Sequence, residues 1–161
     1  MFRYRATQFL RVLSIRGLQP IPAEAKYLLN KRELQLFERM PPYDQAHSIN
    51  VFRAIRDTDP EGIDLQVAGL LHDVGKGLPS LAHRIAFVLV HSIWPKKLDC
   101  WATMPRRTFR GSLWAMTNQA EYGAQFLEAA GSRPRVTEIV RKQGNSQDPD
   151  ATLLTRIDSQ C

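Results

Sequence analysis

Cysteine is scarce in this chain, which has only Cys100 and Cys161 among its 161 residues. Two thiols cannot form a disulfide framework, so the composition is typical of a reducing compartment and predicts a cytoplasmic protein. Long apolar runs are also missing. The longest spans residues 85–90 (IAFVLV), whereas a membrane-spanning helix needs about 20 mostly apolar residues. The sequence therefore predicts no transmembrane helix.

The period-two alternation of apolar and polar residues that marks a half-buried strand is not sustained anywhere, so no strand is predicted. Helical signals recur instead. Asn30 and Glu33 have the spacing of a capping box, and Pro41 and Pro42 can end one helix and begin the next. Residues 63–71 (IDLQVAGLL) are almost entirely apolar. A helix that is apolar on nearly all sides is expected at the centre of a bundle.

Proline, glycine and capping residues divide the rest of the chain into further helices. These are predicted over about residues 43–56, 80–94, 109–130, 134–142 and 151–161, the last with Asp150 as its cap. The length, with 43% hydrophobic and 24% charged residues, fits one folded domain. The predicted fold is all-α: a compact single-domain bundle of about six to eight helices.

The charge balance is one-sided, because 22 Lys and Arg stand against 16 Asp and Glu, which gives a net charge of +6. Such an excess favours anionic partners such as phosphate groups, nucleic acid or acidic lipid. No nucleic-acid motif accompanies it, which disfavours nucleic acid. Residues 1–23 contain four arginines and no acid. Three interpretations of this segment stay open: a first helix docked on the core, contact of residues 1–16 with a membrane surface, or a transit peptide.

One His–Asp pair stands at the end of the apolar segment. His72 and Asp73 follow residues 63–71 directly, and charged groups at the edge of an apolar core cost free energy unless they are paired or bound to a metal ion. His47 lies on the apolar face of the preceding predicted helix, and Asp158 lies on the last one. Imidazole and carboxylate groups together suit a divalent metal ion.

These residues resemble a known family. Ala46-His47, the segment from Ala68 to Lys76 (AGLLHDVGK) and a late Asp158 are similar to the H…HD…D pattern of the HD-domain superfamily of metal-dependent phosphohydrolases. The resemblance implies an HD-type helical metal-binding domain over residues 40–161. The basic helix and lead-in helices of residues 1–39 would pack on its core.

The resemblance also implies the roles of individual residues. One divalent metal ion would be held by His47, His72, Asp73 and Asp158, with Asp73 also the proton acceptor and Lys76 on the phosphate side of the site. Family members with two metal ions carry histidines where this chain has Gln119 and Gln143. An amide oxygen is a poorer ligand for transition metals than imidazole, so a mononuclear site is expected. The candidates for substrate binding are Arg106, Arg107, Arg110, Gln119 and Gln143.

The functional prediction that follows is a metal-dependent phosphohydrolase, a phosphomonoesterase or phosphodiesterase acting on a nucleotide or another small phosphate ester. The alternative is a catalytically weak or inactive HD-type module that binds a ligand or regulates a partner. The two glutamines motivate this alternative, because both replace histidines of the resembled pattern.

Overall fold

The computed structural model describes residues 20–76, 118–144 and 147–161. In these ranges every regular element is helical, so the predicted all-α class is confirmed. The elements are α1 (Ala23–Leu28), α2 (Lys31–Glu38), α3 (Pro42–Thr58), α4 (Ile63–Leu71), a 3₁₀ turn (Val74–Lys76), α5 (Gln119–Ala130), α6 (Pro134–Arg141) and α7 (Pro149–Asp158). The described ranges thus contain seven α-helices, and the predicted number for the whole chain stays a prediction.

The helix ends follow the local signals in the sequence. The capping box predicted at Asn30 is present, because its side chain accepts the backbone N–H groups of Arg32 and Glu33 while the Glu33 carboxylate accepts the N–H of Asn30. Pro42 occupies the first turn of α3, where its missing N–H costs no hydrogen bond. The bounds of α4 agree with the predicted residues 63–71.

Helix α4 is the centre of the bundle. All seven residues from Leu65 to Leu71 are buried, and the helix packs against α1, α2, α3, α6 and α7. Its apolar side chains join those of α3, including Ile49, Val51, Phe52 and Ile55, in one core. Ala25 and Phe37 from the lead-in helices belong to the same core. This burial fixes the C-terminal end of α4, where the His–Asp pair begins.

Two predicted helix bounds are wrong. The helix predicted over residues 109–130 does not include Asn118, which adopts a non-helical conformation (φ −113°, ψ 24°) as the N-cap of α5. The last helix is capped by Asp148 rather than by Asp150, because the Asp148 carboxylate accepts the N–H groups of Asp150 and Ala151. Pro149 is then the first helical residue, and the helix ends at Asp158, short of the C-terminus.

Several predictions lie outside the described residues. They are the N-terminal basic helix with its membrane contact through residues 1–16, the helix over residues 80–94, and the arginines Arg106, Arg107 and Arg110. The division between residues 1–39 and 40–161 stays a prediction. Among the helices described, none combines the length and the apolar character that crossing a membrane requires.

Candidate metal centre

Three elements bring the predicted metal ligands together. His47 lies near the middle of α3, His72 and Asp73 follow the last turn of α4, and Asp158 is the last residue of α7. Because α4 is packed on all sides, His72 is fully buried and Asp73 is 2% exposed. Asp158 comes from the far end of the sequence, and it reaches this point because α7 packs against both α3 and α4.

The contacts among these side chains are direct. The Oδ1 atom of Asp158 lies 2.7 Å from Nε2 of His47 and 3.3 Å from Nε2 of His72. The same nitrogen of His72 lies 3.3 Å from Oδ1 of Asp73. The two imidazole rings meet edge to face, with centroids 5.4 Å apart. The four residues therefore form one cluster, in agreement with their predicted proximity.

The backbone selects which nitrogen of His72 is available. Nδ1 of His72 lies 2.9 Å from the carbonyl oxygen of Gly69, and a carbonyl can only accept, so Nδ1 carries the proton. In the neutral ring Nε2 then has a free lone pair directed at the cluster. A hydrogen bond of this kind fixes the orientation and tautomer of metal-binding histidines.

Two buried atoms of the cluster make no directed hydrogen bond among the described residues: Nε2 of His72, and Oδ1 of Asp73, which has only the ion pair with Lys76. Buried polar atoms are normally satisfied. The ligand atoms of His47, His72 and Asp73 also lie within 4.8 Å of one another, close enough to share one cation. Two imidazoles and a carboxylate suit a first-row divalent ion. The donor set thus fits a metal ion, and Asp158 stands beside this group of three in contact with both histidines.

Burial and neighbouring charges shift the pKa values of three residues in the cluster. Burial alone would lower the pKa of His72, but the carboxylates of Asp73 and Asp158 outweigh it and raise that pKa above its usual value. Burial would raise the pKa of Asp73, whereas His72 and Lys76 bring it below the usual range. Burial would also raise the pKa of Asp158, but its contacts with His47 and His72 outweigh this effect and lower it. Both acids are therefore carboxylates at neutral pH.

Lys76 completes the cluster on the side of the 3₁₀ turn. Its Nζ atom lies 2.6 Å from Oδ1 and 2.7 Å from Oδ2 of Asp73, with the hydrogen bond directed at Oδ2. The backbone N–H of Lys76 also donates to the carbonyl of Asp73. Burial would lower the pKa of Lys76, but Asp73 outweighs this effect and raises it. Lys76 is thus an ammonium ion held on the predicted catalytic carboxylate.

The two glutamines that replace histidines of the resembled pattern have different settings. The side-chain amide of Gln143 donates to Oδ2 of Asp158 at 3.4 Å, and its own carbonyl oxygen is buried without a partner among the described residues. Gln143 therefore contacts a predicted ligand, while its predicted contact with substrate stays a prediction. Gln119 is the first residue of α5, and its backbone carbonyl lies against Gly75 of the 3₁₀ turn.

Sequence reasoning missed one acidic residue of this region. Asp44 lies in the first turn of α3, is 1% exposed, and its charge helps to raise the pKa of Lys76. A signal was present in the sequence, because Asp44 precedes His47 by three residues and residues spaced in this way share a helix face. The acid was not singled out because no apolar run surrounds it.

Comparisons with models of protein families, with curated proteins and with solved structures gave no match. The likeness to the HD-domain superfamily therefore stays a prediction that rests on the sequence motifs.

Proposed function

We propose that this protein is a metal-dependent phosphohydrolase of the HD-domain type that uses one divalent metal ion to hydrolyse a nucleotide or another small phosphate ester. The observation that carries the proposal is the group formed by half-buried His47 with buried His72 and Asp73, whose ligand atoms lie within 4.8 Å of one another. The scarcity of cysteine supports a cytoplasmic location.

The metal ion would be held by His47, His72 and Asp73, with Asp158 as the fourth ligand or as the partner that orients both imidazoles. Bound there, a divalent cation supplies Lewis acidity, which makes a water molecule acidic near neutral pH and draws charge from a phosphoryl oxygen. The protein's own groups supply the rest. The Asp73 carboxylate accepts a proton, and the Lys76 ammonium offers positive charge to the phosphate oxygens.

The experiment measures metal content and phosphatase activity together. Purified protein is analysed for bound metals and assayed with Mn²⁺, Mg²⁺, Co²⁺ and Ni²⁺ against an aryl phosphate, a phosphodiester and a panel of nucleotides. Wild-type protein should hold about one metal ion per chain and release phosphate. The variants His72→Ala and Asp73→Asn should lose both properties, because each removes a buried ligand.

A matched control is Asp57→Asn, which makes the same chemical change at an exposed position in the last turn of α3. This variant should keep metal and turnover. Bound metal without turnover of any phosphate ester would contradict the hydrolase proposal, and absence of metal would contradict the centre itself.

A second candidate function is an HD-type binding module without efficient catalysis. The observation that favours it is the engagement of Asp158, whose two oxygens are already held by His47, His72 and Gln143. A module of this kind would bind a metal ion and a nucleotide in the same panel and release no phosphate. Hydrolysis that follows metal occupancy across the His72 and Asp73 variants would contradict this candidate.

A further inference from the structure

We propose that Lys76 is a built-in competitor of the metal ion: its ammonium group occupies Asp73 until a divalent cation takes that carboxylate, and the displaced ammonium then serves the phosphate group of the substrate. The inference rests on the proposed function and concerns how the same centre is loaded. It predicts an order of binding, with the metal ion first and the phosphate second.

The geometry of the pair comes from the turn that carries it. Asp73 and Lys76 are three residues apart across the 3₁₀ turn, and side chains at this spacing lie above one another in 3₁₀ geometry. The Lys76 ammonium therefore straddles the carboxylate and contacts both oxygens, at 2.6 and 2.7 Å. Since the Asp73 side chain is 1% exposed, water contributes little to its solvation, and Lys76 is its counter-ion.

Both cations need the same oxygen. Oδ1 of Asp73 lies 3.3 Å from Nε2 of His72, which makes it the oxygen that a metal ion shared with His72 would bind. Lys76 Nζ already lies 2.6 Å from this atom. A divalent ion and an ammonium group on one carboxylate oxygen repel each other, and the repulsion is strong in a buried site of low dielectric. Metal binding must therefore move the ammonium away from Oδ1.

The displaced ammonium group can move toward solvent. The Lys76 side chain is 25% exposed, so of the two partners it is the one that reaches solvent. The charges of Asp44 and Asp158 also help to raise the pKa of Lys76, which stays an ammonium ion. A phosphate group that arrives from solvent offers new acceptor oxygens to a lysine that has lost half of its contact with Asp73. Lys76 is thus available to phosphate only after the metal ion is bound.

Calorimetric titration of the full chain with Mn²⁺, after treatment with a chelator, tests this competition. Lys76→Met keeps the length of the side chain and removes its charge, so it should bind Mn²⁺ at least tenfold more tightly than wild type. Lys76→Arg keeps the charge and should show no gain. The control Lys142→Met removes an exposed lysine that pairs with Glu138, and its affinity should equal that of wild type.

Thermal unfolding with and without Mn²⁺ gives a second readout, because a ligand stabilises the folded state in proportion to its affinity. Lys76→Met leaves a buried carboxylate without a counter-ion, so it should melt below wild type in chelator and show the larger rise in Tm when Mn²⁺ is added. If this variant folds only with Mn²⁺, the metal ion has replaced the lysine, which also supports the proposal.

The order of binding is tested with inorganic phosphate. Wild-type protein should bind phosphate when Mn²⁺ is present and not after chelation, and Lys76→Met should bind it more weakly in the presence of Mn²⁺. Phosphate binding to chelated wild type that is lost in Lys76→Met would overturn the order.

Two failures are distinguishable. If wild type binds Mn²⁺ and folded Lys76→Met binds it no more tightly, the competition is overturned and the proposed function stands. If neither protein binds a divalent ion, the metal centre and this inference are both overturned.

Discussion

The orientation of the His72 ring depends on the end of the helix that carries it. The last four carbonyl groups of an α-helix have no partner within the helix, and one of them, that of Gly69, accepts the Nδ1–H group of His72. The helix end therefore does the work that a separate carboxylate does for many metal-binding histidines. A histidine at this position is held on the cluster without any further residue.

At Gln143 a single amide supports one of the predicted ligands. Gln143→Ala removes the hydrogen bond to Oδ2 of Asp158, and loss of such an outer contact typically lowers metal affinity about 10- to 100-fold. Titration with Mn²⁺ measures the change. The matched control is Gln125→Ala, which removes an exposed amide that donates to Glu121 and should leave the affinity unchanged. Equal affinities for the two variants would contradict a role of Gln143 in holding Asp158.

Gly75 allows two backbones to touch beside the cluster. A Cβ atom at this position would overlap the carbonyl oxygen of Gln119 and lie 2.5 Å from the backbone nitrogen of Gly123. Since backbone atoms cannot turn aside as a side chain can, Gly75→Ala should destabilise the protein by about 3 kcal/mol. It should also weaken Mn²⁺ binding, because the turn that carries Asp73 and Lys76 must shift.

Denaturant unfolding measures how much Gly75→Ala lowers the free energy of unfolding, and Gly131→Ala is the control. Gly131 has a positive φ of 71°, and in the part of the chain that the structure describes no atom lies within 4 Å of the added methyl, so only backbone strain of about 1 kcal/mol is expected there. A loss at Gly75 no larger than the loss at Gly131 would contradict the close approach.

At the scale of the helices, ion pairs join α6 to the start of α7, the helix that ends at Asp158. Arg135 of α6 binds both oxygens of the N-cap residue Asp148, at 2.6 and 2.8 Å, and also reaches Asp150 at 2.6 Å. The hydrogen bonds from Arg135 lower the pKa of Asp148 from 3.8 to about 2, against the effect of burial. This pair therefore fixes the start of the helix whose other end carries Asp158.

The pKa of Asp148 predicts how this junction responds to pH. The pKa of Asp148 is lower in the folded state than in the unfolded state, so the ionised carboxylate stabilises the folded state. This stabilisation is complete above about pH 4 and is lost as the pH falls toward 2. Arg135→Met should lower the free energy of unfolding by about 1–2 kcal/mol at pH 7, a value that allows for solvent screening of the partly exposed arginine. Urea unfolding of both proteins from pH 7 to pH 2.5 should show the difference shrinking with acid.

The control for this junction is Arg141→Met, which removes exposed ion pairs to Glu121 and Glu128. Pairs of this kind contribute little, so the loss should stay below about 0.5 kcal/mol. A difference between wild type and Arg135→Met that persists unchanged to pH 2.5 would contradict the assignment to Asp148.

The helices differ in how well their ends could be predicted. The bounds of α4 follow from an apolar run with a glycine before it and a charged pair after it, so local chemistry was sufficient. The start of α7 offered two acids on either side of Pro149, and both are good N-caps. The rule that proline favours the first helical position selects Asp148, and the prediction of Asp150 did not apply it.

At the scale of the whole molecule, the cluster joins helices that are far apart in the sequence. The predicted ligands come from α3, from the end of α4 and from α7, so a metal ion bound to them would link elements from both ends of the described chain. At 100 times its Kd, Mn²⁺ should stabilise the fold by about 2.7 kcal/mol and raise Tm by roughly 5–10 °C. Thermal unfolding measures this rise, and His72→Ala should abolish it. A rise of equal size in that variant would place the bound ion elsewhere.

The sequence predicted which residues form the cluster better than it predicted how they contact each other. The motif around His72 and the position of His47 on an apolar face were enough to name the four candidate ligands. Three interactions were not predicted: the ion pair of Lys76 with Asp73, the hydrogen bond of Gln143 to Asp158, and the effect of the Asp44 charge on Lys76. Spacing along the chain determines which groups share a helix face, whereas these contacts join different helices or follow from the fold of a turn.

The close approach at Gly75 also has a consequence for how the sequence can vary. A Cβ atom at position 75 would overlap the carbonyl oxygen of Gln119 and crowd the backbone nitrogen of Gly123. Both are main-chain atoms that every residue carries, so no exchange of the side chain at position 119 or 123 makes room for a side chain at position 75. Position 75 should therefore admit glycine alone, while the residues opposite it are free to change.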